Sequence, residues 1–243
     1  WIEPVIEMME RENYVAAQPK IRAFHKKTHF EHAGGAGGYL DQFGYPFCRG
    51  RILHVTEEDL GQYDTEEEIF WATGAALFIK SAAWREAQGF DADFFAHMEE
   101  IDLCWRLKGM GYKIGYCPQS TVYHVGGGTL QTSNPKKTYL NFRNNLFMLH
   151  KNLPLVQALG IIFIRFWLDL VALIHFLLQG KGKDAWAVSR SHQAFFINFF
   201  KNSKKRKKYN VSFNKKGLYK KSIIWDFYVN KIQKFSDLSA KNF

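Results

Sequence analysis

Three carboxylates fall within four positions, at Glu99, Glu100 and Asp102. A carboxylate held in a cleft can take the proton of a hydroxyl as that hydroxyl attacks, which is general-base chemistry. Ile101, Trp105 and Lys108 lie about one turn apart, and Gly109 and Gly111 are stop signals, so the pattern predicts a short helix that opens on the acidic pair. The dipole of such a helix favours negative charge at its start. Asp102 and Arg106 are spaced i,i+4 and can pair along it. The same spacing suits a capped, solvated surface helix, so it does not decide the role by itself.

Other residues with chemical potential lie on both sides. Phe70 to Ile79 reads as a strand carrying Trp71, Thr73 and Gly74, with the glycine placed for close approach of a substrate. Gly34, Gly35, Gly37 and Gly38 crowd into five positions, where the backbone can adopt positive φ or approach a ligand, or can serve as a flexible connector. No helix-opening Lys-Ser/Thr follows, which excludes a nucleotide P-loop. His124 precedes the run Val125-Gly126-Gly127-Gly128-Thr129 and is read either as a structural strand-end histidine or as a ligand. Lys136, Lys137 and Arg143 sit on a polar helix over 137–150, facing phosphates or solvent.

The elements that must position these residues are short. Ile2, Val5, Ile6 and Met9 predict a helix within residues 1–17, then a strand from Ala16 to Ile21. Ser81 caps a short helix to Ala87. Residues 113–118 and 120–125 read as two short strands. Arg49 to Arg51 and the acidic stretch 57–68 read as an exposed loop. A last small helix is expected near 222–229.

The chain of 243 residues is 47% hydrophobic, enough for a real core, and carries a net charge of +10. Such a balance calls for an anionic partner: a membrane surface, a phosphorylated substrate or nucleic acid. Much of the charge is local, in Lys201 to Lys208, and no recognition fold accompanies it, which argues against nucleic acid. Cys48, Cys104 and Cys117 make neither a disulfide framework nor a zinc pattern, and fit a reducing cytoplasmic setting. Leu155 to Leu178 is long enough to span a bilayer. Arg165, Asp169 and His175 interrupt it, however, and a charge near the bilayer centre costs about 2.5–3.5 kcal/mol. With Ala185 to Phe200 it suits an amphipathic hairpin in the interface, its lysines on anionic headgroups.

Taken in order, Trp71 to Lys80, Gly89-Phe90-Asp91, Glu99 to Arg106, Gly111-Tyr112 and Val122-Tyr123-His124 resemble the acceptor-side half of a family 2 glycosyltransferase of the bacterial rhamnosyltransferase-like kind. The resemblance covers residues 15–150. It implies an α/β fold: a partial GT-A domain (Rossmann-like, mixed sheet) over 1–150, a helical membrane-associated extension over 151–208 and a C-terminal tail over 209–243. By the same resemblance the enzyme is an inverting hexosyltransferase at the cytoplasmic membrane face, in cell-surface polysaccharide synthesis. Its donor is a nucleotide-diphosphate sugar and its acceptor a hydroxyl of a glycan or lipid-linked precursor.

The resemblance makes Glu100 the base and Glu99 its orienting partner. It places Trp71, Thr73, Gly74, Asp102, Gly37 and Gly38 at the substrate, with Phe30, Tyr39, Phe43, Tyr45 and Phe47 suited to sugar stacking. His124 becomes a candidate metal ligand. The cofactor is a divalent metal, Mg²⁺ or Mn²⁺, with its main Asp-x-Asp ligands expected upstream of Trp1, so these residues alone are expected to be inactive. Asp91-Ala92-Asp93 has the letters of that motif but matches the loop before the helix. One departure is evident: the family usually has Glu-Asp where this chain has Glu99-Glu100, so the base is one methylene longer. The alternative is a non-catalytic membrane-associated module that binds a glycan or a partner.

Overall fold

Val5, Met8 and Met9 recur about one turn apart, and the helix they dictate, α1 (Glu3–Arg11), buries all three. It stops at Arg11, short of the residue 17 the pattern allowed, because Asn13 turns the chain with φ 54° and Tyr14 then joins the core. A computed structural model describes residues 1–126, 134–206 and 214–243. The first stretch continues through β1 (Ala16–Ala23), β2 (Gly38–Asp41), β3 (Pro46–Cys48), β4 (Arg51–Ile52), β5 (Val55–Thr56), β6 (Glu67–Glu68) and β7 (Phe78–Ile79). Two helices, α2 (Ser81–Glu86) and α3 (Glu99–Gly109), precede the long strand β8 (Ile114–His124). Then come α4 (Pro135–Asn152), α5 (Leu155–Leu178), α6 (Gly182–Ile197), α7 (Phe199–Lys205), β9 (Leu218–Tyr219) and α8 (Ile223–Tyr228).

The chain forms two units, and their boundaries differ from the expected cuts at 150 and 208. Unit one comprises Trp1–Gly89, Leu103–Gly126 and Asn210–Phe243; unit two comprises Phe90–Asp102 and Gly127–Tyr209, each as far as described.

Unit one is mixed α/β, the class expected. Its four-stranded sheet runs β6-β8-β1-β7, with β1 parallel to β8 and the two outer pairings antiparallel. The stretch expected as two strands is one, β8. The register slips between Pro19 and Lys20, where Cys117 faces Pro19 but Thr121 faces Lys20. Proline cannot donate to the ladder, and a bulge is where a strand accommodates it. The other sheet runs β5-β4-β3-β2-β9. Its last pair, β2 with β9, is parallel and ties the supposed tail into the fold. Phe243 and Phe235 then pack on Tyr39 with ring centres 5.3 and 4.9 Å away.

Three local expectations fail in unit one. Only Phe78–Ile79 of the 70–79 segment is a strand; Trp71 instead bridges Gly38. Ser81 is the first residue of α2, whose cap is Lys80 with no side-chain bond. The acidic stretch 57–68 is partly core: Asp59 is buried and takes Lys20 (2.9 Å) and Arg22, while Glu57 accepts from the Tyr63 hydroxyl at 3.0 Å.

Unit two packs α4 against α5, α6 and α7. A polar knot lies inside these helices. Arg165 and Asp169 are buried in α5 and pair at 3.2 Å, as their i,i+4 spacing allows. His192 of α6 lies 3.0 Å from Asp169, and Asn145 of α4 accepts from Arg165.

Candidate active site

The segment before α3 has an unusual backbone. Phe95, His97 and Met98 hold φ of 64°, 68° and 70°, although none is glycine. At Phe95 the ψ is −58°, and Ala96 N donates to Phe94 O at 2.8 Å. This is the positive-φ form of the γ-turn, the rarer and more strained of the two. Residues held in such regions persist only when their surroundings over-determine them.

The surroundings here are α4. Asn144, fully buried, donates through Nδ2 to the carbonyls of Phe94 (2.9 Å), Ala96 (2.8 Å) and His97 (2.8 Å). Arg143 donates to the carbonyls of Asp93 (2.9 Å) and Phe94 (3.1 Å), so it helps hold the loop. Lysines fix the loop from its acidic side. Lys151 donates to Asp91 (2.7 Å) and Asp102 (2.9 Å), and Lys205 to Asp91 (2.5 Å) and Asp93 (2.6 Å). Burial alone would raise the Asp91 carboxyl, but the two lysines outweigh it and hold that group well below the usual carboxylate range. Asp91 and Asp93 are thus ion-paired. Lys136 lies 4.6 Å over the Phe95 ring.

Helix α3 begins at Glu99, as the spacing predicted, with Glu99, Glu100 and Asp102 all in its first turn. The three differ in what they touch. Asp102 is fully buried and accepts from Lys151 and Asn152, the latter at 2.9 Å, so within its unit it is a structural anchor. Glu99 and Glu100 each keep one buried carboxylate oxygen with no hydrogen-bond partner among the described residues. Burial and then the neighbouring Glu99 charge push Glu100 up to about 7, and burial raises Glu99 as well. His97 Nε2 is also buried without a partner; burial and then Lys137 push its pKa down, favouring the neutral ring.

The residues expected at the substrate in unit one are brought together, but chiefly by packing. Gly38 N donates to Trp71 O at 3.0 Å, and Trp71 Nε1 donates to Tyr39 O at 2.9 Å. Thr73 is buried, and its backbone N–H donates to Gln18 at 2.9 Å. A Cβ at Gly38 would fall 2.1 Å from the Trp71 ring and one at Gly37 2.5 Å from Ile69. The space a Cβ would take at Gly37 and Gly38 is therefore filled by the chain itself. Gly74 is exposed. Phe30, Tyr39 and Phe47 are buried among one another's neighbours in the core, so they are not stacking platforms for a sugar.

His124 ends β8 with Nδ1 3.5 Å from Glu31. Among the described residues no group of three or more His, Cys, Asp or Glu is placed to hold a metal ion, so Glu31 and His124 do not make a metal centre by themselves. The glycine run Gly127-Gly128-Thr129 and the basic residues Lys207 and Lys208 lie outside the described residues.

Parts of the chain are similar to known glycosyltransferases. A stretch of 60 residues, 25% of this chain and 20% of the relative, is 33% identical to the N-acetylglucosaminyl-diphospho-decaprenol L-rhamnosyltransferase of Mycobacterium tuberculosis. The pre-mycofactocin glycosyltransferase of the same organism is 34% identical over 83 residues, 32% of this chain and 17% of that protein. Rhamnosyltransferase WbbL of Escherichia coli K12 is 30% identical over 56 residues, 23% and 21% of the two chains. Over these stretches the chain is similar to bacterial glycosyltransferases, two of the three being rhamnosyltransferases. The matches span only about a fifth of those relatives' own length. No family model matches the chain. Among solved structures, the crystal structure of GalNAc-T7 with UDP, GalNAc and Mn²⁺ covers 62% of this chain and 29% of its own at 15% identity, with a TM-score of 0.42, a likeness too loose to argue from.

The glycosyltransferase resemblance was carried by the string around the acidic helix. What the string did not reveal is the α4 clamp. Its signal was available: Asn144-Asn145 in a helix interior is a poor local choice unless the side chains serve something buried.

Proposed function

We propose that these residues form the acceptor-side part of an inverting GT-A glycosyltransferase, and that Glu100 is its base. The observation that carries this reading is the Glu99–Glu100 pair at the start of α3, with Glu100 pushed up to about 7 and one oxygen of each carboxylate left without a partner. A base poised near the working pH is best placed to take a proton. In the proposed reaction Glu100 removes the acceptor hydroxyl's proton as the oxygen attacks the anomeric carbon of a nucleotide-diphosphate sugar. The bond to the diphosphate breaks on the opposite face, and configuration inverts. Glu99 orients the acceptor and, as a neighbouring negative charge, keeps Glu100 basic.

The acceptor class proposed is a glycan or lipid-linked hydroxyl used in cell-surface polysaccharide synthesis; relatives named for a diphospho-decaprenol sugar support it. Mg²⁺ or Mn²⁺ remains part of the family resemblance. The described residues do not supply a fitting ligand set, so no step is routed through it. The reading also places the donor-binding strands outside these residues.

The test uses an enzyme that contains these residues together with a donor site. Glu100→Gln keeps shape and removes basicity, so kcat falls by about 10²–10⁴ with donor affinity little changed. Retained turnover in Glu100→Gln, with loss in Glu99→Gln instead, would move the base by one residue. Retained turnover in both sinks the assignment.

The same reading places the enzyme at the cytoplasmic membrane face. Helix α5 is long and apolar enough to cross a membrane by length and composition, yet carries a buried Arg165–Asp169 pair. Its outer face shows Val156, Phe163, Val171 and Leu178 at 65–86% exposure. An exposed apolar surface of this kind marks an interaction site. Replacing Phe163 and Val171 with serine should lower binding to anionic vesicles severalfold. Unchanged binding, or resistance of the wild type to alkaline carbonate, contradicts interfacial attachment.

A further inference from the structure

Two features besides the loop before α3 are a cavity and a lysine cluster. The first, about 280 Å³ between α5 and α6, is lined by Phe166, Leu173 and Phe196 around the Asp169–His192 pair. The second feature, the lysine cluster on Asp91 and Asp93, is charge-balanced by those aspartates. The loop carries more.

We propose that Asn144 is a positioning residue for the acidic pair: its three hydrogen bonds, with the two from Arg143, hold Phe95, His97 and Met98 in positive φ and so set where Glu99 and Glu100 stand. The proposal rests on the reading of Glu99–Glu100 as the reacting pair, but its test does not.

A loop carrying three non-glycine residues at positive φ prefers to relax, since such conformations persist only where the surroundings hold them. Relaxation at His97 or Met98 would rotate the two peptides immediately before Glu99 and re-aim the first turn of α3. The carbonyls that would have to move are those of Phe94, Ala96 and His97, and these three are gathered by a single amide. An amide NH₂ has two protons, so three acceptors at 2.8–2.9 Å share it, and Arg143 takes Phe94 as well. No other residue type of that size donates in this way: aspartate accepts only, and alanine offers nothing.

A helix interior is a poor place for asparagine on propensity, which leaves the loop as the reason for it. Phe95 shows that the strain is not required by the core. Its ring is 69% exposed and packs under Lys136, so the γ-turn is imposed on a surface residue.

The consequence lies in the ionisation of Glu100. It is raised by burial and then by the adjacent Glu99 charge, and both depend on the turn being held inward. The test is a pH titration of the full chain carrying ¹³C-labelled glutamate, with the Glu100 signal assigned by its loss in Glu100→Gln. Wild type should show a midpoint near 7. Asn144→Ala and Asn144→Asp, shown folded by circular dichroism, should move that midpoint down toward the ordinary value of 4.5. Adding Phe95→Gly to Asn144→Ala should return it part of the way, because glycine accepts the γ-turn without the clamp.

A folded Asn144→Ala with its midpoint unmoved overturns the proposal. If Asn144→Ala fails to fold, Arg143→Gln takes its place. A smaller downward shift is then expected, and no shift overturns the proposal equally. Since the readout is a carboxyl titration, it judges the clamp even if Glu100→Gln proves that the base lies elsewhere.

Discussion

Two segments of this chain each gather three residues at positive φ within four positions, and they do so in opposite ways. In unit one the turn before β2 uses Gly34, Gly35 and Gly37, with φ of 106°, 42° and 106°. Glycine reaches those values without steric cost, and the missing side chains make room for Thr73, Arg49 and Ile69. In unit two the turn before α3 uses Phe95, His97 and Met98, and needs five hydrogen bonds from Arg143 and Asn144 to stay there. The first segment is a packing solution. The second keeps strain that glycine would have relieved, and it does so immediately before the Glu99–Glu100 pair. That difference, more than the letters of the acidic motif, separates scaffold from candidate site.

The contrast can be broken from either side. Gly38→Ala puts a methyl group 2.1 Å from the Trp71 ring and should destabilise unit one by about 3 kcal/mol, read as a fall in the denaturant midpoint. A neutral result would mean that Trp71 is free to move, and would reopen this segment as a ligand pocket. The opposite substitution, Phe95→Gly, should do less and in the other direction. Releasing the γ-turn, less the entropy lost on ordering glycine, should stabilise the chain by about 1 kcal/mol in thermal or chemical unfolding. A destabilisation of the same size would show that the Phe95 ring under Lys136 matters more than its backbone.

The acidic helix was legible because its signals are local: acidic residues at a helix start, an apolar periodicity and two glycine stops. The mixed α/β character was legible for the same reason. What escaped is long-range. Nothing near Leu218 announces that it will pair with Leu40, so residues 214–243 read as tail although Tyr219 and Ile223 are core. The string Phe70 to Ile79 has the apolar run of a strand, but Trp71 spends its backbone on Gly38 and only Phe78–Ile79 pairs with β1. The aromatic residues around the glycines look like a sugar platform in one dimension. In three they face Phe235 and Phe243, which arrive from the far end of the chain. The clamp was hidden because its halves are about fifty residues apart, and because an asparagine pair in a helix signals burial without saying what is bonded.

The central claim is that Glu100 is a base kept near neutrality by burial and by Glu99. The most direct test is the pH dependence of sugar transfer in an enzyme containing this site, compared between wild type and Glu99→Gln. Burial and a like charge both disfavour the ionised form, so Glu100 in the wild type should lose its proton near pH 7 and the rate should fall as pH drops below that value. Replacing Glu99 by glutamine removes the charge but keeps the volume. The Glu100 pKa then falls, and the acidic limb of the profile should move to lower pH. A limb that stays where it was, or moves upward, contradicts the account.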